Sequence, residues 1–435
     1  MSDKRPVPAG MALAILAVVG LLACDVPEPP GPTGGTAEPL GRCGRGLVVV
    51  SSDYQSTNLS LLDTAGQVLS ESFISSASAA AQLSAPLSGD VGMPTEPQLG
   101  PELVLLDRYP ASVLTWVEVA TGTVRAQLNV ATGFAANPQD YVKVSESKAY
   151  GSRYEGNPAP GAEPFDEGND VLIIDPRVPE ILNRIDLLPA MVDAPGFLPR
   201  PNRMVRLEGV IYVLLSGYSA DYLDSAPSRI VTIDIGSDAI AGVTVLEGLH
   251  GCVGLAIGPR FDVTGQPAVA PPLAVSCSGK FDGANASMAE SGVVVLSTAG
   301  PLPSEVDRWT AAELVGQPLG MSLDFIDHQR LLITVLGLAD PLVLDGAIEL
   351  DTETNEVREL LRSDAQPFQL GEVRCMTAVA GAGAPEDGMC GGCFIADSER
   401  NRVHRFAATT TGLEVVESLL VDTMIGLPPR QLGRF

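Results

Sequence analysis

From residue 47 onward, short runs of apolar and β-branched residues alternate with polar turns in a pattern that returns at a regular distance. Each β-rich run ends in a small or acidic residue, and a second β-rich run follows the turn. In the first unit, residues 59–62 lead into Asp63 and Thr64. Acidic, Thr and Gly residues suit such turns because they tolerate a tight backbone and hydrogen-bond to it. The pattern predicts many short strands and an all-β protein.

The spacing of these turns indicates a repeat. We interpret the runs as the third strand of successive units, which end at Asp63, Ala120, Asp175, Asp234, Ser297, Asp351 and near Asp397. These positions are on average about 56 residues apart. Earlier strand pairs, which we interpret as inner strands A and B, occur at 138–144 with 148–154, 201–207 with 210–215, and 318–323 with 330–335. A period near fifty residues with four strands in each unit is typical of β-propeller blades.

The two ends of the repeat region complement each other. Residues 428–435 have the pattern of a strand A with no strand B after it, and residues 46–52 that of a strand B with no strand A before it. Together they would complete one blade. Closing the ring in this way would remove exposed sheet edges, which otherwise invite aggregation.

The repeats resemble the YVTN-type family of propellers, in which a strand ending in Asp-Thr precedes a short turn and a second strand. Asp63-Thr64 and Asp351-Thr352 match this pattern best, whereas Ala120 and Ser297 depart from it. The resemblance covers most of residues 47–435 and implies seven blades. The spacing alone also allows six or eight.

The N-terminus has the pattern of an export signal. Lys4 and Arg5 precede the apolar run 11–23, which is too short to span a bilayer as a helix. The run ends in Leu-Leu-Ala before Cys24, which resembles the bacterial lipobox, and the resemblance implies cleavage before Cys24 and acylation of its thiol. An ordinary secretory signal cleaved nearby is the alternative.

The predicted organisation is a signal peptide over 1–23, a tether rich in Pro and Gly over 24–45, and a propeller domain over 46–435. Pro-rich chain is extended and stiff and can hold a folded body away from a membrane surface, while lipid chains supply membrane affinity. We therefore expect a lipid-anchored protein of the bacterial cell envelope. The outer membrane is favoured, although Asp25 would favour the inner membrane under the enterobacterial sorting rule.

Composition narrows the range of partners. The 435 residues carry 27 basic and 53 acidic side chains, a net charge of −26, with 45 Gly, 35 Pro and 5% aromatic residues. Nucleic-acid binding depends on neutralising phosphates with Lys and Arg, and the chain has no basic cluster beyond the signal. Nucleic acid is therefore excluded as an expected partner.

Six cysteines remain after Cys24, an even number that suits disulfides in an oxidising compartment. Cys252 opens a predicted strand A and Cys277 closes strand B beside it, so we predict that these two pair. Cys43 would pair with Cys390 or Cys393 across the ring closure, leaving Cys375 for the other, although simple strand register places Cys375 several residues away from that partner. Such a bridge would stabilise the folded protein by about 2–4 kcal/mol. The segment 390–393 could instead form a redox or zinc motif, but it lacks a second cysteine pair at zinc spacing.

Candidate chemistry is sparse. His250, before the predicted fifth blade, is a weak catalytic candidate, and a solvated loop histidine is its ordinary interpretation. His328 and His404 fall in a predicted A–B turn and an outer strand. Residues 166–170 and 282–285 could offer oxygen ligands to calcium, yet neither has the spacing of a known calcium loop. No cofactor or metal is expected.

The predicted function is therefore a non-catalytic envelope propeller that binds a protein or a polymer. The alternative is a propeller enzyme, such as a lactonase or a quinone-dependent dehydrogenase, because related propellers host those activities. A purely structural role is the third interpretation. An enzyme of this kind would need His, Arg and acidic residues gathered on one face.

Overall fold

The computed structural model describes residues 43–260, 268–282, 285–376, 390, 392–409 and 411–435. These residues form seven four-stranded antiparallel sheets arranged as a seven-bladed β-propeller. The strands of each blade are called A to D from the axis outward. This arrangement confirms the predicted fold class and blade number.

The strands have the following bounds in chain order. Blade 1 contributes β1 (Gly46–Ser52), β2 (Thr57–Asp63) and β3 (Val68–Ser75) as strands B to D. Blade 2 has β4 (Val91–Gly92), β5 (Glu102–Asp107), β6 (Val113–Glu118) and β7 (Val124–Asn129). Blade 3 has β8 (Pro138–Ser145), β9 (Lys148–Gly156), β10 (Gly168–Asp175) and β11 (Glu180–Asp186). Blade 4 has β12 (Pro201–Leu207), β13 (Val210–Leu215), β14 (Arg229–Asp234) and β15 (Ala239–Val245).

Blades 5 and 6 each carry an additional small hairpin between strands B and C. Blade 5 has β16 (Cys252–Ile257), β17 (Leu273–Ser278), the hairpin β18 (Phe281–Asp282) and β19 (Asn285–Ala286), then β20 (Ser291–Ser297) and β21 (Ser304–Thr310). Blade 6 has β22 (Leu319–Phe325), β23 (Arg330–Val335), the hairpin β24 (Leu338–Ala339) and β25 (Leu342–Val343), then β26 (Gly346–Asp351) and β27 (Val357–Arg362). Blade 7 has β28 (Leu370–Cys375), β29 (Cys393–Asp397), β30 (Arg402–Thr409) and β31 (Gly412–Leu419), and β32 (Pro429–Arg434) is strand A of blade 1.

The ring closes between the two ends of the repeat region, as the matching terminal patterns predicted. Strand β32 pairs antiparallel with β1, placing Val48 opposite Gly433 and Val49 opposite Leu432. The backbone carbonyl of Phe435 also accepts a hydrogen bond from the Gly46 N–H at 3.0 Å. Blade 1 therefore takes strands from both ends of the propeller domain.

Burial explains why the inner strands are nearly continuous apolar runs. Each blade packs both of its faces against neighbouring blades, so strands such as β1 and β10 are buried along their whole length. One such interface joins Trp116 and Leu114 of blade 2 to Tyr141, Ala149 and Leu172 of blade 3. The outermost strands face solvent and are mostly exposed or half-buried, as in β11 and β27.

One assignment of strand position was wrong. Six of the seven runs interpreted as third strands are strand C of their blades, but Asp397 ends β29, which is strand B of blade 7. The turn chemistry is the same in both settings. The carboxylate of Asp397 accepts the backbone N–H groups of Glu399 and Arg400, as that of Asp351 accepts the N–H groups two and three residues after it. The local motif therefore identifies a turn but not the strand that precedes it.

Three disulfides join the six remaining cysteines. Cys252 bonds to Cys277, the predicted pair, and the two residues lie opposite each other in neighbouring strands. Cys43 bonds to Cys390 and so links the chain before β1 to blade 7. The remaining disulfide joins Cys375 to Cys393. The expectation that strand register separates this last pair by several residues was wrong, because Cys375 lies directly opposite Cys393.

Acidic side chains on the inner strands tie neighbouring blades together. The buried Asp140 carboxylate of β8 accepts the Thr95 N–H of blade 2 at 2.9 Å and the Met204 N–H of blade 4 at 2.7 Å. Asp324 of β22 accepts the Cys375 N–H of blade 7 at 2.9 Å. Burial raises the pKa of Asp140, and the charge of Arg203 together with these hydrogen bonds offsets part of the rise.

A central charge cluster lies where the inner strands of blades 4, 6, 7 and 1 converge; it consists of Arg203, Asp324, Glu372, Arg374 and Arg434. Glu372 pairs with Arg203 at 2.7 Å and with Arg374, and it accepts the Leu432 N–H of β32 at 3.1 Å. Arg434 lies 3.4 Å from Asp324. Burial would raise the pKa of the Glu372 carboxyl, but Arg203 and Arg374 hold it below its ordinary value.

The proposed signal peptide, Cys24 and the tether before residue 43 lie outside the described residues. Within the described part of the chain, no helix is long and apolar enough to cross a bilayer.

Candidate functional site

The meander of each blade creates two distinct faces. Because neighbouring strands are antiparallel, all B–C and D–A connections lie at one end of the ring, which we call the upper face. The A–B and C–D connections lie at the other end, the lower face. Strand β1 begins at the lower face, so the segment that carries Cys43 approaches the propeller from that side.

The upper face carries most of the exposed large apolar side chains. Among the described residues, 21 large hydrophobic side chains are exposed. Twelve of them lie in B–C or D–A connections: Tyr54, Tyr109, Leu188, Val192, Tyr222, Leu223, Met288, Leu342, Phe368, Leu420, Met424 and Ile425. Only Val178 and Val269 lie in lower-face connections. The exposed large apolar side chains are therefore concentrated on the upper face among the described residues, which distinguishes the two faces.

Acidic groups accompany these apolar side chains. The described upper-face connections carry ten exposed carboxylates, those of Asp53, Glu163, Glu167, Asp193, Asp221, Asp224, Glu247, Glu313, Asp340 and Asp364. Protein interfaces are enriched in aromatic and Met side chains, and polar groups surround these side chains. The upper face therefore combines exposed apolar and acidic side chains.

An aromatic–arginine cluster makes one part of the upper face rigid. The buried Arg200 guanidinium lies 4.1 Å from the Tyr222 ring centroid and 5.4 Å from that of Tyr154. Arg200 also pairs with Glu155, which accepts the Tyr222 hydroxyl. Burial raises the pKa of Tyr222, and the hydrogen bond to Glu155 raises it further. These contacts hold the exposed edge of Tyr222 in one orientation.

His250 lies on the upper face, in the connection that enters blade 5. Its Nδ1 is 2.9 Å from the Ser225 hydroxyl, and its backbone N–H donates to the Glu290 carbonyl at 3.1 Å. Ser225 is buried, and no acidic side chain hydrogen-bonds the other imidazole nitrogen among the described residues. The geometry thus shows a histidine that anchors two loops.

The other two histidines also have structural settings. His328 lies in the turn between β22 and β23. His404, in β30, places Nε2 2.9 Å from Asp397 and Nδ1 2.8 Å from the Ser418 hydroxyl. The imidazole therefore joins the second, third and fourth strands of blade 7.

The structure describes one of the two possible calcium loops. The Asp166 carboxylate accepts backbone N–H groups of Gly161, Ala162 and Glu163, and the buried Asp170 pairs with Arg153 at 2.6 Å. Residues 283 and 284 of the other loop lie outside the described residues. In the described part of the chain, no group of three His, Cys, Asp or Glu residues is placed to hold a metal ion.

A cleft of about 750 Å³ opens on the lower face between blades 2, 3 and 4. It extends from the ends of the inner strands near the axis toward the outer strand of blade 2. Its inner end includes Glu96, Arg206, Glu208 and Arg260, and its outer end includes Arg125 and Arg177. Its volume falls within the range of pockets that hold small molecules.

The cleft exists because the inner strand of blade 2 is short. Strand β4 has two residues, whereas the other inner strands have six to eight, and residues 93–101 leave the sheet as a loop. The Gln98 side chain replaces the missing strand: its Oε1 accepts the Val104 N–H at 2.5 Å and its Nε2 donates to the Val104 carbonyl at 3.2 Å. Arg45 donates to the carbonyls of Leu99 and Gly100 and fixes the same loop.

Five cations line the cleft, and four of them are paired with carboxylates. The pairs are Arg125 with Glu102, Lys143 with Glu146, Arg177 with Asp175, and Arg260 with Glu96. Arg206 is the exception among the described residues, because its guanidinium donates only to the carbonyls of Val144 at 2.9 Å and Glu208 at 3.4 Å.

Tyr141 contributes a buried hydroxyl group to the cleft. Its side chain lines the cleft and is 3% exposed, and its hydroxyl has no hydrogen-bond partner among the described residues. The Trp116 ring lies edge-on to it, with 6.0 Å between the ring centroids. Burial raises the pKa of the Tyr141 hydroxyl.

The sequence patterns predicted neither the cleft nor the central charge cluster. A usable signal was present for the cluster, because Asp324 and Glu372 are carboxylates that stand beside apolar residues in inner strands. For the cleft, the sequence carries no comparable signal. The residues that line it come from four blades and have no common motif.

Comparison with known proteins supports the architecture. No protein-family model matches the chain, and no curated protein sequence matches it. A hypothetical selenium-binding protein from Sulfolobus tokodaii has a similar structure, with a TM-score of 0.53 and 11% identity over 89% of this chain and 93% of that one. A protein from Bacteroides uniformis, provisionally named a 6-phosphogluconolactonase, has a TM-score of 0.52 and 11% identity over 89% and 98%.

A third solved structure is hydrazine synthase from Kuenenia stuttgartiensis, with a TM-score of 0.50 and 14% identity over 76% of this chain and 79% of that one. The chain has the β-propeller fold. At these identities the similarity extends to the fold alone, since one fold hosts many unrelated activities.

Proposed function

We propose that this protein is a lipid-anchored component of the bacterial cell envelope that binds a protein partner through its upper face, without catalysis. The observation that carries the proposal is the concentration of exposed apolar side chains in the upper-face connections. We also propose that the repeats belong to the YVTN type, on the strength of Asp63-Thr64 and Asp351-Thr352.

The position of the N-terminal segment indicates which face of the anchored propeller would point away from the membrane. Cys43 leads into β1 from the lower face and is bonded to Cys390 of blade 7. A tether that runs from an acylated Cys24 to Cys43 would therefore attach the propeller by its lower side. The upper face would then point away from the membrane, toward proteins of the periplasm or of a facing surface.

The exposed carboxylates of the upper face indicate the chemistry of the partner. A partner surface that carries both apolar side chains and basic groups would complement the upper face in both respects. His250 and the Arg200 cluster support the loops that present these side chains. Glu155 is held by Arg200 and Tyr222, and no carboxylate hydrogen-bonds His250 in the described part of the upper face, which is why binding is favoured over a lactonase-like or dehydrogenase-like activity.

Replacing upper-face side chains should abolish partner capture. In the full-length chain, purified in detergent, Leu223→Ser with Met424→Ser removes two apolar side chains that are 77% and 61% exposed. We expect the amount of a specific envelope protein that co-purifies with the chain to fall about tenfold, because apolar side chains at the centre of an interface dominate its affinity.

The matched control is Val306→Ser with Val416→Ser, which changes two exposed side chains on the outer strands β21 and β31. Capture by this variant should equal that of the native chain. Equal capture by the upper-face variant would exclude this face as the binding surface.

Replacing Cys24 should release the protein from the membrane. Cys24→Ser removes the thiol that would be acylated, and the single folded body then has no lipid chain to hold it in a bilayer. We expect the native chain to sediment with membranes and to incorporate a labelled fatty acid, and the variant to do neither. Cys43→Ser, which changes a disulfide cysteine, should keep the label. Fatty-acid incorporation into Cys24→Ser would refute the anchor.

A further inference from the structure

We propose that the lower-face cleft is a second binding site, which takes a small molecule carrying an oxyanion, with Arg206 as the group that binds the oxyanion. This site is on the opposite side of the ring from the proposed partner surface, and the inference does not depend on that surface. It rests on two polar groups of the cleft: the Arg206 guanidinium, which faces no carboxylate among the described residues, and the Tyr141 hydroxyl, which has no hydrogen-bond partner among them.

The first group is the Arg206 guanidinium. Every other cation of the cleft already faces a carboxylate, so only Arg206 has charge available for a ligand. A guanidinium presents its N–H donors as a planar fork that matches a carboxylate or phosphate. The carbonyls of Val144 and Glu208 hold part of this group in place, which pre-orients the remaining N–H donors.

The Arg206 backbone is also fixed. Its N–H donates to Glu96 Oε1 at 2.8 Å, and the same carboxylate binds Arg260 at 2.6 Å. Glu96 therefore joins the inner strand of blade 4 to the chain that follows β16 in blade 5. The Glu96 carboxylate thus occupies Arg260 and fixes the Arg206 backbone at the inner end of the cleft, which leaves the Arg206 guanidinium to meet a ligand oxyanion.

The second group is the Tyr141 hydroxyl. Buried polar groups in native proteins almost always have a hydrogen-bond partner, and Tyr141 is 3% exposed with none. It lines the cleft beside Trp116. A ligand that places an oxygen near this hydroxyl and an apolar body along Trp116 would supply the missing partner.

Two sources of negative charge oppose the binding of an anion and limit its expected affinity. The exposed Glu208 carboxylate lines the same end of the cleft, and the whole chain carries −26. Salt screens charges beyond about 8–10 Å under physiological conditions, so the groups in contact with the ligand decide its affinity. We expect dissociation constants of about 1 mM or lower for simple probes, which corresponds to a modest binding energy.

Intrinsic fluorescence can report on the cleft. The chain has two tryptophans, and Trp309 lies in blade 5, where its indole nitrogen donates to Asn355. In Trp309→Phe, Trp116 of the cleft is the remaining indole. The probes are phenyl phosphate, benzoate, inorganic phosphate and the neutral benzyl alcohol, titrated into the full-length chain with fluorescence and calorimetry as independent readouts.

Phenyl phosphate and benzoate should bind, and benzyl alcohol should not. Arg206→Gln should weaken the binding of phenyl phosphate about tenfold or more, and Tyr141→Phe by several-fold. Arg206→Lys keeps the charge without the planar fork and should lie between Arg206→Gln and the native chain. The matched control is Arg177→Gln at the outer end of the cleft, which should bind as the native chain does.

Three results would overturn the proposal. They are unchanged affinity in a folded Arg206 variant, equal binding of the neutral alcohol, and no response to any anionic probe at about 10 mM, well above the expected dissociation constants. Weak binding of inorganic phosphate with no gain from the phenyl group would also count against the site. Capture of a partner by the upper face should be unaffected by these variants, so failure of one proposal is distinguishable from failure of the other.

Discussion

Glu372→Gln should destabilise the propeller by about 3–5 kcal/mol, because it leaves buried positive charges without their partner. The carboxylate pairs with Arg203 and Arg374 and is 2% exposed. The substitution keeps the shape of the side chain, so the effect would come from charge and not from a cavity. The measurement is the free energy of unfolding of the full-length chain in urea.

The control is Glu359→Gln, which removes a carboxylate that pairs with Arg362 at the surface and is 52% exposed. Such exposed ion pairs contribute about 0–1 kcal/mol to the free energy of unfolding. Combining Glu372→Gln with Arg374→Met should recover part of the lost stability, since both members of a buried pair are then neutral. Equal effects of the two Gln substitutions would show that the central charge cluster does not stabilise the ring.

The same carboxylate predicts a pH dependence. Its pKa is lowered in the folded protein, so its contribution is complete above the unfolded pKa of about 4.3 and is lost as the pH falls through the lower folded value. The difference in unfolding free energy between the native chain and Glu372→Gln should therefore be largest near neutral pH and shrink on acidification. A difference that grows on acidification would contradict the assignment.

Removing the Cys43–Cys390 disulfide should destabilise the protein more than removing Cys252–Cys277. The bonded residues are 347 and 25 positions apart. The loop-closure description, in which a cross-link restricts the unfolded chain, gives a difference of about 2 kcal/mol for these two loop lengths. The test compares Cys43→Ser with Cys390→Ser against Cys252→Ser with Cys277→Ser, by unfolding of the oxidised full-length chains in urea.

The Cys43–Cys390 bridge also crosses the ring closure, so its removal should loosen the pairing of β1 with β32 first. Faster amide hydrogen exchange in residues 429–434 would show this directly, because locally opened segments exchange ahead of global unfolding. A larger loss of stability in the Cys252 and Cys277 variant would overturn the argument from loop length.

The wrong strand position assigned to the run that ends at Asp397 shows what a local sequence pattern can predict and what it cannot. Asp63, Asp234 and Asp351 each end strand C, and Asp397 ends strand B, yet all four carboxylates accept nearby backbone N–H groups in the same way. The turn is a local property of about four residues. The place of a strand within its blade depends on pairing partners further along the chain, and the misplaced strand also hid the register of Cys375 with Cys393.

The amino-acid sequence by itself indicated the short strands, their repeat and the closure of the ring, because alternation and turn chemistry are local and their recurrence can be read along the chain. Its spacing left six, seven or eight blades possible. The sequence also indicated the Cys252–Cys277 pair, whose members border adjacent strands. Only the tertiary structure decided the rest. The central charge cluster, the apolar upper face and the cleft beside β4 join side chains from separate blades, and their contacts depend on how the closed ring brings those blades together.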